Sequence, residues 1–208
     1  GTRGGPPIQW AAICRRGKNM PWNSTYTVHL APGCDPVLQL RDLGGGFCIY
    51  SFDMTGETAW NLAASASLAE KLKPYQFDGI VTVQTKSSGL AQALTTRLGM
   101  DRYLEIRKSS KPFMVEPAGV SVESITTHAK QELWIGKEKY LPFVGKKLCF
   151  LDDVVSTGGT IHAMLELCKQ TGLEISVVAC ALTEGTRHTE YQGIPIVSLD
   201  HIPLPGRS

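Results

Sequence analysis

An α/β protein with a parallel sheet covered by helices on both faces is the fold class that the sequence predicts. Short apolar runs typical of buried strands occur at 79–83, 103–106, 148–151, 175–182 and 194–199. Segments with apolar residues at helical spacing lie between several of these runs. Strands that alternate with helices in this way are typical of a parallel sheet.

A small β subregion is predicted ahead of the first long helix. From residue 25 to about residue 54 the chain shows short alternating runs separated by Pro-Gly and Gly-Gly-Gly turns, a pattern that favours strands. We expect this subregion to lie over the edge of the main sheet. Residues 1–24 are rich in Gly, Pro and Arg and are expected to form a tail, which leaves 25–208 as the main domain.

Two helices are predicted in the first half of the chain. The first is expected to begin with Thr55 as its capping residue and to extend through Leu72, ahead of Pro74. The second carries Leu90 and Leu94 on its apolar face and is expected to stop at Gly99.

Composition excludes several classes of protein. At 208 residues, 42% hydrophobic and 19% charged, the chain has the profile of a globular domain. A net charge of +2 gives no reason to expect nucleic acid or an anionic membrane as a partner. The six cysteines include no C-x-x-C pair, which favours free thiols in the cytoplasm over a zinc site or a disulfide framework.

The most informative stretch lies between Lys147 and Met164. The apolar run 148–151 reads as a buried strand, and Asp152 and Asp153 stand where we expect that strand to end. A turn of small residues at 156–160 follows, and apolar residues then recur at helical spacing. The order is therefore strand, acid pair, glycine turn and helix.

This order has a chemical meaning. A glycine turn before a helix leaves unpaired backbone N–H groups that suit a phosphate, and the hydroxyl groups of Ser156, Thr157 and Thr160 add further donors. Adjacent carboxylates instead suit sugar hydroxyls or a hard cation such as Mg²⁺. A ligand with a phosphate at one end and a diol or metal nearby fits both halves. The alternative, an ordinary strand-to-helix turn, accounts for the glycine pair but not for the acids.

The segment C-F-L-D-D-V-V-S-T-G-G-T-I, thirteen positions from Cys149, resembles the 5-phosphoribosyl-1-pyrophosphate (PRPP) signature of type I phosphoribosyltransferases. The resemblance implies a type I phosphoribosyltransferase-like fold, with the N-terminal β subregion, here called the hood, contributed by about residues 25–54. It implies PRPP and a purine base as substrates, Mg²⁺ as cofactor and a homodimer. PRPP would be bound by the following signature residues: Asp152, Asp153, Ser156, Thr157, Gly158, Gly159 and Thr160.

Two further loops are expected at the same edge, because ligands of open parallel sheets bind beyond the carboxyl ends of the strands. In the family the first loop contacts pyrophosphate, which here assigns Thr85, Lys86 and Ser87. A second strand end carries three cations expected beside the pyrophosphate, namely Arg107, Lys108 and Lys111. Without the signature nearby, either set of residues would be interpreted as ordinary solvent-exposed side chains. The polar stretch from Ser109 is expected to act as a lid.

The reaction implied is displacement of pyrophosphate from C1 of the ribose by a ring nitrogen of the base. Asp152 and Asp153 would hold the sugar hydroxyls directly or through Mg²⁺ and water, so they are also the metal-binding candidates. Lys86 and Lys108 would stabilise the departing pyrophosphate, which completes the catalytic set. The mechanism requires no nucleophile from the protein.

Base recognition is expected in the hood. The segment I-Y-S-F-D-M is similar to the hood segment of adenine and xanthine phosphoribosyltransferases, which makes Phe52 the candidate for stacking on a purine and Asp53 a candidate reader. The alternative is that Phe52 belongs to the core. The signature has Ser156 and Gly159 where hypoxanthine-guanine enzymes carry an acid and a lysine, so adenine is favoured.

The sequence departs from the pattern of adenine phosphoribosyltransferases at one point, and alternatives to that interpretation remain. The acidic residue that adenine enzymes place in the flexible loop has no clear match near residues 126–128, and Glu123 is only a displaced candidate. A PRPP-binding regulator on the same fold, or a transferase for hypoxanthine, guanine, xanthine or another acceptor, is the competing hypothesis. Lys86 and the cations from Arg107 to Lys111 favour an enzyme.

Overall fold

The computed structural model describes residues 23–43, 47–123 and 130–205. The elements follow one another along the chain in this order: β1 (Thr25–Thr27), β2 (Val37–Asp42), β3 (Cys48–Ser51), α1 (Thr58–Leu72), β4 (Gly79–Val83), α2 (Ser88–Arg97), β5 (Leu104–Ile106), β6 (Ala118–Glu123), β7 (Lys130–Ile135), α3 (Lys137–Tyr140), a 3-10 turn (Leu141–Phe143), β8 (Lys147–Val155), α4 (Gly159–Thr171), β9 (Glu174–Glu184), β10 (Glu190–Tyr191) and β11 (Ile194–Ile202).

The central sheet has six strands in the order β10-β11-β9-β8-β4-β5. All neighbouring pairs are parallel except β10 and β11, which form an antiparallel pair at one edge. The predicted parallel sheet is therefore confirmed. None of the helices in the described ranges is long and apolar enough to cross a membrane.

Two hydrophobic clusters cover the two faces of this sheet. The first joins the sheet to α1, α2 and the N-terminal strands, with Leu68, Leu94 and Leu151 among its fully buried members. The second joins the sheet to α4 and to the strands β6 and β7, with Phe150 and Met164 fully buried. Since β8 contributes to both clusters, it is buried on both sides, as its continuous apolar run predicts.

The strands β1, β2 and β3 form a separate antiparallel sheet. Tyr50 of β3, together with Phe52 and Met54 just after that strand, belongs to the first cluster. The backbone N–H of His29 also donates to Asp200 Oδ2 at 2.9 Å, which ties this sheet to β11. The predicted tail falls almost wholly on residues 1–22, which lie outside the described residues.

Two local predictions were wrong. Helix α1 begins at Thr58 rather than at a capping Thr55, and Asn61 instead donates side-chain hydrogen bonds to the carbonyl groups of Met54 and Glu57, each at 2.9 Å. Strand β8 continues to Val155, beyond the acid pair, because its partner β9 extends to Glu184 and supplies ladder hydrogen bonds along that length.

The strands β6 and β7 pair as an antiparallel ribbon that lies on α4. An isolated backbone bridge between Arg107 and Trp134 ties the ribbon to the end of β5, with N···O distances of 3.0 and 2.7 Å. The Trp134 ring lies directly on Gly119, where a Cβ atom would come within 2.2 Å of it, so only glycine fits beneath this ring. The polar stretch from Ser109 therefore leads into an anchored ribbon.

Replacing Leu133 with alanine tests this anchoring. Leu133 is fully buried against the second cluster, so Leu133→Ala is expected to lower the free energy of unfolding by about 2–5 kcal/mol in urea denaturation. Val37→Ala, at an exposed strand position, should cost less than about 1 kcal/mol. Equal effects of the two substitutions would contradict a packed ribbon.

Candidate functional site

The ends of three parallel strands bring the sequence-predicted loops to one edge of the sheet. In the register of β4 and β8, Thr82 lies beside Leu151, so the loop after β4 and the acid pair of β8 are neighbours. The hydroxyl of Thr82 donates to the Leu151 carbonyl at 2.7 Å and strengthens this junction. Strand β9 reaches the same edge on the other side of β8.

A cavity of about 570 Å³ opens at this edge. It is formed by the end of β8, the turn before α4, one cation after β5 and the start of β7. Its lining residues are Lys108, Lys130, Gln131, Glu132, Asp152, Val154, Val155, Ser156, Thr157, Gly158, Gly159, Thr160 and Ile161.

The turn of Ser156–Thr160, here called the phosphate loop, leads directly into α4. Gly158 has a left-handed conformation with φ +80° and occupies the N-cap position of the helix. The first N–H groups of a helix have no carbonyl group one turn before them, and the helix dipole adds partial positive charge at this end. The N-terminus of α4 therefore presents donors to the cavity, as an anion site requires.

The Tyr191 ring lies against Gly158 of the phosphate loop. A Cβ atom at position 158 would lie 2.6 Å from Tyr191 Cε2. Tyr191 was not predicted from the sequence, because β10 follows the signature by some thirty residues along the chain. Both the backbone conformation and this contact require glycine at position 158.

The two acids take different positions. Asp152 is half-buried and lines the cavity, whereas Asp153 is buried and only 8% exposed. Although successive side chains of a strand point to opposite faces, the two carboxyl groups lie close enough to hydrogen-bond to each other. The N–H of Asp153 donates to Asp152 Oδ1 at 3.0 Å and fixes the orientation of that carboxyl group.

Burial raises the pKa of Asp152 well above its ordinary value, and the neighbouring carboxyl group of Asp153 raises it further. Lys108 acts in the opposite direction. A cation in the cavity would therefore strongly stabilise the ionised form of this carboxyl group. Across the described ranges, no group of three or more His, Cys, Asp or Glu side chains is arranged to hold a metal ion. A cation bound here would draw its other ligands from substrate oxygens and water.

Ser87, one of the sequence-predicted ligand residues, faces the protein interior. It is buried, and its hydroxyl bonds to the Thr82 hydroxyl at 2.8 Å and to the Val83 carbonyl at 3.2 Å. This side chain therefore holds the loop to the sheet. Thr85 and Lys86 of the same loop are exposed.

Glu105 supports the same loop from β5. Its carboxyl group accepts hydrogen bonds from Gln84 Nε2 at 2.9 Å and from Ser88 Oγ at 2.5 Å, so it bridges the two ends of the loop. This residue was not predicted from the sequence either, because the contact spans some twenty positions and no local pattern marks it.

Lys86 lies close to the carboxyl groups of Asp53, in the hood, and Glu184, at the end of β9. Its positive charge favours the ionised form of both groups, although it is not the main influence on either pKa. The pKa of Asp53 is lowered mainly by hydrogen bonds from Thr55, whereas burial raises the pKa of Glu184 despite a hydrogen bond with Ser156. Glu184 was not among the residues predicted from the sequence.

The three predicted cations separate in the structure. Lys108 lines the cavity and faces Asp152. Arg107 lines a second cavity of about 480 Å³, where its guanidinium lies 5.5 Å from the centre of the Phe113 ring. Lys111 is half-buried and lines neither cavity.

Phe52 is part of the first hydrophobic cluster. It is 5% exposed, and its ring stacks on Trp60 with centroids 5.9 Å apart and an interplanar angle of 2°. Of the two interpretations of Phe52, this placement favours the core. Asp53 is exposed beside it. Residues 126–128, where the flexible-loop acid was sought, lie outside the described residues, and so does the side chain of Glu123.

Comparison with known families adds to this geometry. The family described as "Phosphoribosyl transferase domain" matches residues 61–202, well over half of the chain. The chain belongs to the phosphoribosyltransferase family. The match includes the acid pair and the whole phosphate loop, so the resemblance seen in the signature is confirmed.

Relatives in the phosphoribosyltransferase family are similar over part of their length. A hypoxanthine/guanine phosphoribosyltransferase of Methanobacterium lacus is 33% identical over 124 residues, 60% of this chain and 61% of the relative. One of Methanosarcina barkeri is 29% identical over 119 residues, 57% of this chain and 58% of the relative. The chain therefore spans about three fifths of these relatives.

Solved structures of the family share the fold. An adenine phosphoribosyltransferase of Thermoanaerobacter pseudethanolicus superposes with a TM-score of 0.67 at 20% identity, covering 79% of this chain and 95% of that one. One of Rhodothermus marinus gives a TM-score of 0.59 at 19% identity, covering 86% and 94%. At these identities the likeness concerns the fold alone.

The requirement for glycine in the phosphate loop can be measured against a matched site. Gly193 has φ +81°, but a Cβ atom added there would have no other atom within 4 Å, so Gly193→Ala is expected to cost only the backbone strain, about 1–2 kcal/mol. Gly158→Ala should lower the free energy of unfolding by roughly a further 1–3 kcal/mol, because the new methyl group meets Tyr191. Adding Tyr191→Ala to Gly158→Ala should relieve that contact, and equal costs at both glycines would argue against it.

The raised pKa of Asp152 predicts a pH-dependent stability. The folded protein keeps this proton to higher pH than the unfolded chain, so the carboxyl group destabilises the fold progressively once the pH exceeds its unfolded pKa of about 4. In EDTA, Asp152→Asn is expected to raise the free energy of unfolding at pH 7 and to change it little near pH 3. The exposed Asp101→Asn serves as control. A variant that is less stable than wild type at pH 7 would contradict the burial argument.

Proposed function

We propose that the protein is a purine phosphoribosyltransferase, which transfers the phosphoribosyl group of PRPP to a purine and releases pyrophosphate. The observation that carries the proposal is the cavity in which the N-terminus of α4 and the half-buried Asp152 face the same space. The first group suits the 5-phosphate of PRPP, and the second suits its ribose hydroxyls. Both groups line one cavity, as a ligand that carries a phosphate and a diol requires.

The reaction follows from this placement. A bond forms between C1 of the ribose and a ring nitrogen of the purine, the bond from C1 to the pyrophosphate oxygen breaks, and the proton of the ring nitrogen passes to water or to the departing pyrophosphate. Positive charge develops on the sugar, close to Asp152. Negative charge develops on the pyrophosphate, where Lys86 and Lys108 are the cations that would stabilise it.

Mg²⁺ belongs to the proposal as cofactor, since it would neutralise part of the pyrophosphate charge. The residues fit such an ion, because Asp152 and Asp153 supply adjacent carboxylate oxygens, and a cation would offset the burial and the mutual repulsion that raise the pKa of Asp152. Asp152 is the better placed of the two to contact it directly or through water. A homodimer, also implied by the family resemblance, belongs to the proposal as well.

The hood is proposed to supply the base pocket. Asp53 is exposed at its edge and lies near Lys86, so a purine held beside Asp53 would also be close to C1 of the ribose. With Phe52 stacked on Trp60, Asp53 and the neighbouring backbone are the stronger candidates for base recognition. The domain boundary at about residue 25 is part of this proposal.

Adenine is the base that we propose first, from Ser156 and Gly159 in the signature. The two relatives from methanogens are hypoxanthine/guanine phosphoribosyltransferases by name, which makes those bases the direct competitors. Discrimination among them requires a measurement of turnover with each base.

A pyrophosphate-release assay with PRPP and Mg²⁺ tests the proposal. We expect turnover that depends on a purine, with adenine giving the highest kcat/KM among adenine, guanine, hypoxanthine and xanthine, and none with orotate. Asp152→Asn should lower kcat by at least about 100-fold, because it removes charge that acts at the reacting sugar. Asp101→Asn should leave kcat unchanged.

The same experiment separates the alternatives. Turnover with hypoxanthine or guanine but not adenine would overturn the base assignment and keep the reaction. Tight Mg²⁺-dependent PRPP binding with no turnover on any base would overturn the enzyme and favour a PRPP-binding regulator.

A further inference from the structure

We propose that Gln131 is a positioning residue for the phosphate loop. Its side-chain amide holds the hydroxyl of Thr160 so that the hydroxyl proton points into the cavity and donates to a phosphate oxygen of the substrate. The inference rests on the proposed function, since it assigns the phosphate of PRPP to this loop.

A direct contact supports the assignment. Gln131 Nε2 donates to Thr160 Oγ1 at 3.1 Å, across 29 positions of the chain, and both residues line the cavity. Thr160 is the second residue of α4, so its hydroxyl lies beside the free N–H groups of the first helical turn. Gln131 Oε1 lies on the Gly159 side, 3.9 Å from where a Cβ atom of that residue would be.

The register of β7 directs Gln131 toward α4. Gln131 shares one face of the strand with Leu133 and Ile135, which are buried in the second cluster. On the other face, Glu132 is held by Lys130 at 2.9 Å and by Trp134 Nε1 at 3.2 Å. The amide is therefore presented from an anchored strand, and the contact does not depend on a flexible loop.

The chemistry of a hydroxyl group explains the effect. A threonine hydroxyl has one proton and two lone pairs, whereas phosphate oxygens only accept hydrogen bonds. When the hydroxyl accepts from an amide, its proton stays available for the phosphate. If it donated to a protein acceptor instead, its lone pairs would face the phosphate and repel it. Gln131 therefore sets the polarity of the Thr160 contact.

Binding of ribose 5-phosphate, measured by isothermal titration calorimetry, tests the inference without catalysis. Gln131→Glu replaces the donor with a charged acceptor and is expected to weaken binding by at least about tenfold. Gln131→Met keeps the length of the side chain and removes the donor, so a smaller loss is expected. Gln39→Glu makes the same charge change on an exposed strand position of the hood and should leave the affinity unchanged.

Two readouts separate positioning from a general structural role. In a double-mutant cycle, Gln131→Met should have almost no further effect once Thr160→Val has removed the hydroxyl. The affinity for Mg²⁺-pyrophosphate should stay within about twofold of wild type in each Gln131 variant, because that ligand is assigned to other loops. Thermal unfolding of each variant shows that it is folded.

The outcomes distinguish this inference from the proposed function. If the wild type binds neither ribose 5-phosphate nor PRPP, the proposed function fails. If the wild type binds ribose 5-phosphate and Gln131→Glu binds it equally well, only the inference fails. That result would mean that the Thr160 hydroxyl donates to residue 131 in the wild type as well. Additive effects in the double-mutant cycle would also overturn it.

Discussion

The acid pair near the end of β8 is the constraint on which the site depends. Two adjacent carboxyl groups repel each other and lose hydration where they are partly buried, as the raised pKa of Asp152 records. Two such groups remain close together only if the backbone that carries them is held rigidly. Strand β8 meets this requirement, because β4 and β9 both pair with it up to Leu151, β9 continues to pair with it through Val155, and its apolar residues pack into clusters on both faces of the sheet.

The loops around the acid pair are held by buried polar contacts rather than by their own sequence. Thr82 and Ser87 bond to each other and to the ends of β4 and β8, so the loop after β4 is fixed to the strand that carries Asp152. Glu105 closes the same loop from the other side. A hydrogen bond buried in this way costs free energy to break, which gives the loops a defined geometry before any ligand binds.

Much of the fold and the centre of the site could be predicted from local patterns. The strand, glycine turn and helix of 148–168 are predicted by apolar spacing and by the glycine pair, and Gly158 does adopt the positive φ that favours glycine in such a turn. The features that local patterns did not reveal depend on distant partners. The inward hydroxyl of Ser87 and the loop contact of Glu105 are set by residues elsewhere in the chain. The extension of β8 past Asp153 is set by the length of β9.

The short edges of the central sheet have a consequence for solubility. Its outer strands, β5 and β10, have only three and two residues, and the end of β5 is further covered where Arg107 bridges to Trp134. Unpaired backbone groups along a sheet edge are the usual template for intermolecular strand pairing. Here the long, apolar strands β8 and β9 lie inside the sheet with a strand partner on each side, which keeps these segments away from the edges where such pairing begins.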